Sequence, residues 1–79
     1  MRWQDYIEQR PDVMLGKPVF KDTRLTVQHV LERLGQGATE AELLHAHPTL
    51  RPEHIRAAQA YAAAALAVDE HVFSAEESV

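Results

Sequence analysis

The side chains of this chain best suited to chemistry are basic. Lys17, Lys21 and Arg24 fall within a turn-rich stretch, GKPVFKDTRLTV, running from Gly16 to Val27. Arg51, His54 and Arg56 open the last long helical pattern. Such residues bind anions: lysine and arginine neutralise phosphates, and arginine also reads base edges. A basic arm ahead of two helices, a proline turn and a third helix is the order of an arm followed by a helix-turn-helix, in which the arm grips phosphates or a minor groove. Each group also has a plain structural reading. The arm residues read equally as solvated charges on a hairpin, and Arg24 is expected rather to pair with Glu32 or Asp22 and hold the turn. Arg51, His54 and Arg56 read equally as helix capping and surface. Glu53 among them would repel phosphate, although it could accept from a cytosine amino group.

No catalytic constellation competes. Ser74 and Ser78 have only His71 nearby, and Gly16, Gly35 and Gly37 do not form a phosphate loop. The carboxylates show no paired context that would tune them. Glu42, His45, His47 and His54 invite a metal reading, but His45 and His47 do not share a helix face and there is no cysteine. A histidine near a helix C-terminus is explained by the macrodipole. The expectation is a non-enzyme without cofactor or metal.

The 79 residues make one domain, expected at 1–68, with 69–79 as a partly disordered acidic tail. A core this small is marginal, and self-association is the expected help. The formal net charge is −4, from eight basic and twelve acidic residues. Four of the acids, Asp69, Glu70, Glu76 and Glu77, lie in the tail, so the body is neutral and any DNA contact must be a local cluster. The polar start, MRWQDYIEQR, is not a signal peptide, and no apolar run is long enough to span a membrane; a cytoplasmic location without membrane contact is expected.

The elements follow from local signals. Trp3, Tyr6 and Ile7 form a short apolar anchor. Val19-Phe20 and Leu25-Thr26-Val27 have strand composition and predict a hairpin, within one chain or across two, that must pack on helices or on another chain. Thr26 caps a first helix carrying Val27, Val30, Leu31 and Leu34 at helical spacing, with Gly35 and Gly37 ending it in left-handed geometry. Thr39 with Glu42 makes a capping box for a second helix of about Glu40 to His47, with Ala41, Leu43 and Leu44 apolar. Pro52 opens a third helix reaching about Val68, roughly 25 Å. On it, Ile55, Ala58, Ala62 and Leu66 form one stripe toward the other helices. Ala57, Tyr61, Ala64 and Val68 form a second. That second stripe predicts a helix interface with the N-terminal anchor or with a second subunit, against the plainer reading of good helix formers on a solvated face. Val72 and Phe73 in the acidic tail suit folding onto a basic partner, unless the tail simply frays.

The ordered series Gly16-Lys17-Pro18-Val19, Thr23 to Val27, Val30-Leu31, Leu34, Gly37, Glu42-Leu43-Leu44, His47 to Leu50, Pro52 to Ile55, Ala57-Ala58 and Ala60-Tyr61-Ala62 resembles the DUF433 family, regarded as antitoxin components of toxin–antitoxin systems. The likeness covers about Tyr6 to Ala62. The family usually has Gly where this chain has Asp22, a residue that also tolerates turn geometry. The resemblance implies a homeodomain-like helix-turn-helix, binding to promoter DNA and pairing with a ribonuclease toxin. The expectation is therefore a mainly α, three-helix fold with a short N-terminal β-hairpin or arm. It would act as a homodimer on double-stranded DNA, with helix 3 as recognition helix, repressing its own operon. The competing expectation is a protein–protein interaction module without DNA binding. The geometry of the basic residues separates the two: DNA binding needs Lys17, Lys21, Arg51 and Arg56 on one face.

Overall fold

A computed structural model describes the backbone of residues 1–77 and the side chains of residues 1–67. Three helices, α1 (Val27–Gly35), α2 (Glu40–Ala46) and α3 (Pro52–Glu77), follow a two-stranded antiparallel sheet of β1 (Ile7–Glu8) and β2 (Val19–Phe20). Single 3-10 turns lie at Trp3–Asp5 and Met14–Gly16. The fold is mainly helical.

The helices start where their caps are. The Thr26 hydroxyl accepts from the His29 N–H at 3.0 Å and opens α1. At α2 the Glu42 N–H donates to Thr39 Oγ1 (3.1 Å) while the Thr39 N–H donates to Glu42 Oε1 (2.8 Å), a closed capping box. Of the two glycines at the end of α1, only Gly37 is left-handed, with φ +99°. Gly35 is the last helical residue. Bonds from Gly37 N–H to the Leu34 carbonyl and from Ala38 N–H to the Arg33 carbonyl, both 3.0 Å, complete the stop. α3 begins at Pro52 and continues past the expected end near Val68.

The strands differ from the sequence expectation in two respects. Leu25-Thr26-Val27 is not a regular strand: Val27 already opens α1, and the turn back from β2 is held within the chain by Phe20 N–H to the Leu25 carbonyl, Val27 N–H to the Pro18 carbonyl and a single bridge between Val19 and Thr26. β2 also takes its regular partner from the other side, pairing Ile7 with Phe20 and Glu8 with Val19. β2 is thus the middle of three extended segments, and Val19 and Phe20 are wholly buried. The turn between Phe20 and Leu25 is held by Thr23, whose hydroxyl donates to the Phe20 carbonyl (2.8 Å) and accepts from the Leu25 N–H (3.0 Å). Asp22 takes φ +63° there, the left-handed geometry the turn requires.

The core gathers Ile7, Phe20, Val27, Val30, Leu43, Leu50, Ile55, Ala57 and Ala58, one contribution or more from each helix and strand. Half-buried Trp3, Tyr6, Leu31, Leu34 and Tyr61 pack around it, whereas Ala41 lies outside on the surface of α2. α3 is covered from two sides, by α1 and by the N-terminal turn, where the Trp3 and Tyr61 rings meet edge to face with centroids 5.0 Å apart. Coverage ends near Ala62: Leu66, expected on the inward stripe, is 55% exposed because α3 has by then outrun its neighbours.

One segment runs against local preference. Met14, Leu15 and Gly16 have φ of +47°, +59° and +81°, a single left-handed turn. Bonds from Gly16 N–H to the Val13 carbonyl and from Lys17 N–H to the Met14 carbonyl close it. For residues other than glycine this conformation costs about 1–2 kcal/mol each.

Candidate functional site

The basic residues fall into two neighbourhoods. Lys21 and Arg24 are exposed on the hairpin turn, on either side of Asp22 and Thr23. The Lys21 N–H donates to the Tyr6 carbonyl, and the rings of Tyr6 and Phe20 both meet His54 in the first turn of α3, at 5.3 and 5.6 Å. The hairpin tip therefore lies beside the start of α3. Lys17 is joined to Pro18, which packs near Tyr61 and Ala62. That is about 10 Å further along α3 from His54 at the helical rise. The backbone at Lys21 thus lies beside the first turn of α3, and that at Lys17 beside its third turn.

Within the first neighbourhood the side chains differ in what they have left to offer. Arg51 is exposed. Arg56 is exposed and reaches Glu53 across one turn at 3.4 Å, a loose surface pair that leaves the guanidinium largely in water. Arg24 makes no ion pair within 4 Å among the described residues, so neither Glu32 nor Asp22 holds it as expected. It instead borders a shallow depression of about 320 Å³ shared with Arg10, Glu8 and Asp22.

His54 is half-buried. Its ring lies edge to face against both Tyr6 and Phe20, and its Nδ1 accepts from the Arg51 N–H at 3.0 Å. The imidazole closes the start of α3 and packs at the junction with the sheet. Along α3, only Arg56 and Gln59 are fully exposed between Pro52 and Ala62, beside the exposed Arg51, and residues 63–67 are then exposed without a break.

The helix-interface residues also resolve. Ala57 is wholly buried within the chain, and Tyr61 packs on Trp3 of the N-terminal anchor with one side of its ring. Ala64 is exposed. The side chains of Val68, Val72 and Phe73 lie outside the described residues. Of the histidines, His29 and His47 meet edge to face at 5.8 Å, while His45 is exposed. Among the described residues no three histidine or carboxylate side chains converge as a metal site would need, and no helix is long and apolar enough to cross a membrane. At Glu42 the backbone N–H of Thr39, then the Thr39 hydroxyl, hold the carboxyl below its usual range, with Arg33 adding to this.

A groove between α1 and α3 went unnoticed in the sequence. It has a volume of about 480 Å³ and apolar walls of Pro18, Val27, Leu31, Tyr61 and Ala62, with Gln28 and Glu32 along one edge. Gln28 Nε2 donates to Glu32 Oε1 at 2.7 Å, so the polar edge is already organised. Tyr61 thus has two sides, one on Trp3 and one on this groove. The sequence signal was present in the second stripe, but its open side faces α1 and the hairpin.

Comparison with known proteins fits this arrangement of elements. The profile described as "Protein of unknown function (DUF433)" matches residues 7–62, from β1 to the end of the packed part of α3. The chain belongs to the DUF433 family. A crystal structure of a DUF433 member from Anabaena variabilis superposes with a TM-score of 0.72 at 28% identity, over 96% of this chain and 71% of that one. An uncharacterized protein, y4eO, of Sinorhizobium fredii is 34% identical over 61 residues, 77% of this chain. The chain spans only about 28% of that protein's length. The DUF433 match ends close to where α3 leaves the core, so it covers the packed unit.

Proposed function

We propose that this DUF433 chain is a protein-interaction module of the antitoxin type, whose working surface is the apolar groove between α1 and α3. The observation that carries this reading is the groove itself: apolar walls, an ordered polar edge, and an aromatic ring, Tyr61, fixed from behind by Trp3. Rigid aromatic and branched apolar side chains in a concave site are the usual anchors of protein recognition. A protein partner would insert an apolar side chain there and meet Glu32 with a basic one.

The second reading is a homodimeric helix-turn-helix regulator that represses its own operon, with α3 as recognition helix. It is favoured by the exposed Arg51 and Arg56 at the start of α3 with Lys21 nearby. Against it stands the first part of α3, where only Arg56 and Gln59 are fully exposed between Pro52 and Ala62 and His54 Nδ1 is taken by the Arg51 N–H. A recognition helix normally presents three or four side chains to the bases.

Fluorescence anisotropy with the DNA upstream of the gene, at low and moderate salt, decides between the readings. The interaction-module reading expects no sequence-specific binding. Specific binding that falls with salt and is lost in Arg51→Ala/Arg56→Ala would establish the regulator instead. Co-expression with the neighbouring gene product, using Leu31→Asp as the groove variant, tests the module directly.

A further inference from the structure

Two features of the chain find no use within a single copy. Leu15 sits at the tip of the left-handed turn with its side chain 94% exposed, and Met14 beside it is 44% exposed. A leucine there is disfavoured twice, by its backbone conformation and by its contact with water, and it contributes nothing to the core. Strain of this sort persists at sites where something else makes use of it. The second feature is the open groove of Pro18, Leu31 and Tyr61.

We propose that Leu15 of one chain seats in the α1–α3 groove of a second copy, and that the exchange is reciprocal. This rests on the reading of that groove as a protein-binding surface and names its occupant. Three observations select a second copy. The chemistries match, a branched apolar knob for an apolar groove. Knob and groove are also close: Leu15 lies three residues before Pro18, at most about 10 Å of extended chain, so a two-fold axis beside them turns one insertion into two and closes the assembly. Finally, the charges agree. Lys17 flanks the knob, and Glu32 lines the edge of the groove. In the reciprocal arrangement each Lys17 ammonium faces the Glu32 carboxylate of the other copy.

The chain has no cysteine, which permits a direct test. Leu15→Cys and Leu31→Cys are purified separately, mixed and oxidised. The expected product is a disulfide-linked pair formed from the mixture faster than from either variant alone. In parallel, sedimentation equilibrium compares the wild type with Leu15→Asp, whose exposed position leaves folding untouched. Wild type is expected to dimerise, and Leu15→Asp to raise the dissociation constant about tenfold or more. Lys17→Glu should weaken the dimer, and adding Glu32→Lys should restore it.

A monomer at every concentration, or a Leu15→Asp variant that dimerises like wild type, overturns the inference. If Leu31→Asp weakens self-association while Leu15→Asp does not, the groove remains a protein-binding surface and only its proposed occupant is wrong. If a wild-type dimer is weakened by neither, the dimer forms elsewhere and the groove reading loses its support as well.

Discussion

Replacing His54 separates a structural role from a DNA-reading one. The imidazole makes two edge-to-face contacts, with Tyr6 at 5.3 Å and Phe20 at 5.6 Å, and accepts the Arg51 N–H at 3.0 Å. Each aromatic contact is worth about 0.5–1.5 kcal/mol and a helix-start acceptor about 1 kcal/mol. His54→Ala should therefore destabilise the fold by about 2–4 kcal/mol, lowering the melting temperature by roughly 8–30 °C for a domain of this size. Two further variants divide that loss. His54→Phe keeps the packing but removes the acceptor and should cost about 1 kcal/mol. His54→Asp keeps an acceptor but removes the ring and should cost about 1–3 kcal/mol. Thermal unfolding followed by far-UV circular dichroism gives all three values. A His54→Ala protein that melts within about 3 °C of wild type would refute the reasoning, and weakened DNA binding in that same variant would return His54 to the interface.

Other consequences can be measured on the same footing. Leu15→Gly relieves left-handed strain of about 1–2 kcal/mol but adds unfolded-state entropy, so in a dilute, monomeric sample its urea midpoint should equal or exceed wild type. Leu15→Ala, which keeps the strain, should not gain. Trp3→Ala uncovers Tyr61 and should cost about 2 kcal/mol, read from the same denaturation curves. The Glu42 carboxyl is held below its ordinary range by Thr39 in the folded state. Its contribution is therefore complete above the unfolded carboxylate range and is lost as pH falls through the lowered folded value. Glu42→Gln should flatten that part of the acid limb, visible in unfolding midpoints between neutral and acid pH.

What was legible in the sequence is what local chemistry determines. Thr26, the Thr39–Glu42 box and Pro52 each marked a helix start, because a cap needs only its neighbours within one turn. The Phe20–Leu25 hairpin was legible for the same reason. The pairing of Ile7 and Glu8 with Phe20 and Val19 was not, since two-residue strands carry no periodicity and their partners lie more than ten residues apart. The ring contacts of His54 were not legible, because Tyr6 and Phe20 reach it only in the folded chain. The two stripes of α3 were visible, but which neighbour covers each depends on where the N-terminal turn and α1 dock. The groove is what those two neighbours leave uncovered, so no local pattern announces it. Leu15 carried no warning, because its exposure follows from a left-handed turn that leucine does not ordinarily signal.

The most direct test of the groove as the working surface is a set of amide proton–nitrogen correlation spectra, recorded as protein concentration is raised and again with the upstream DNA duplex added. If protein recognition resides there, Leu15, Lys17, Leu31, Glu32, Tyr61 and Ala62 shift with concentration, while Lys21, Arg51, Arg56 and Gln59 stay in place when DNA is added. DNA-induced shifts at the start of α3, with the groove residues unmoved at every concentration, would contradict it.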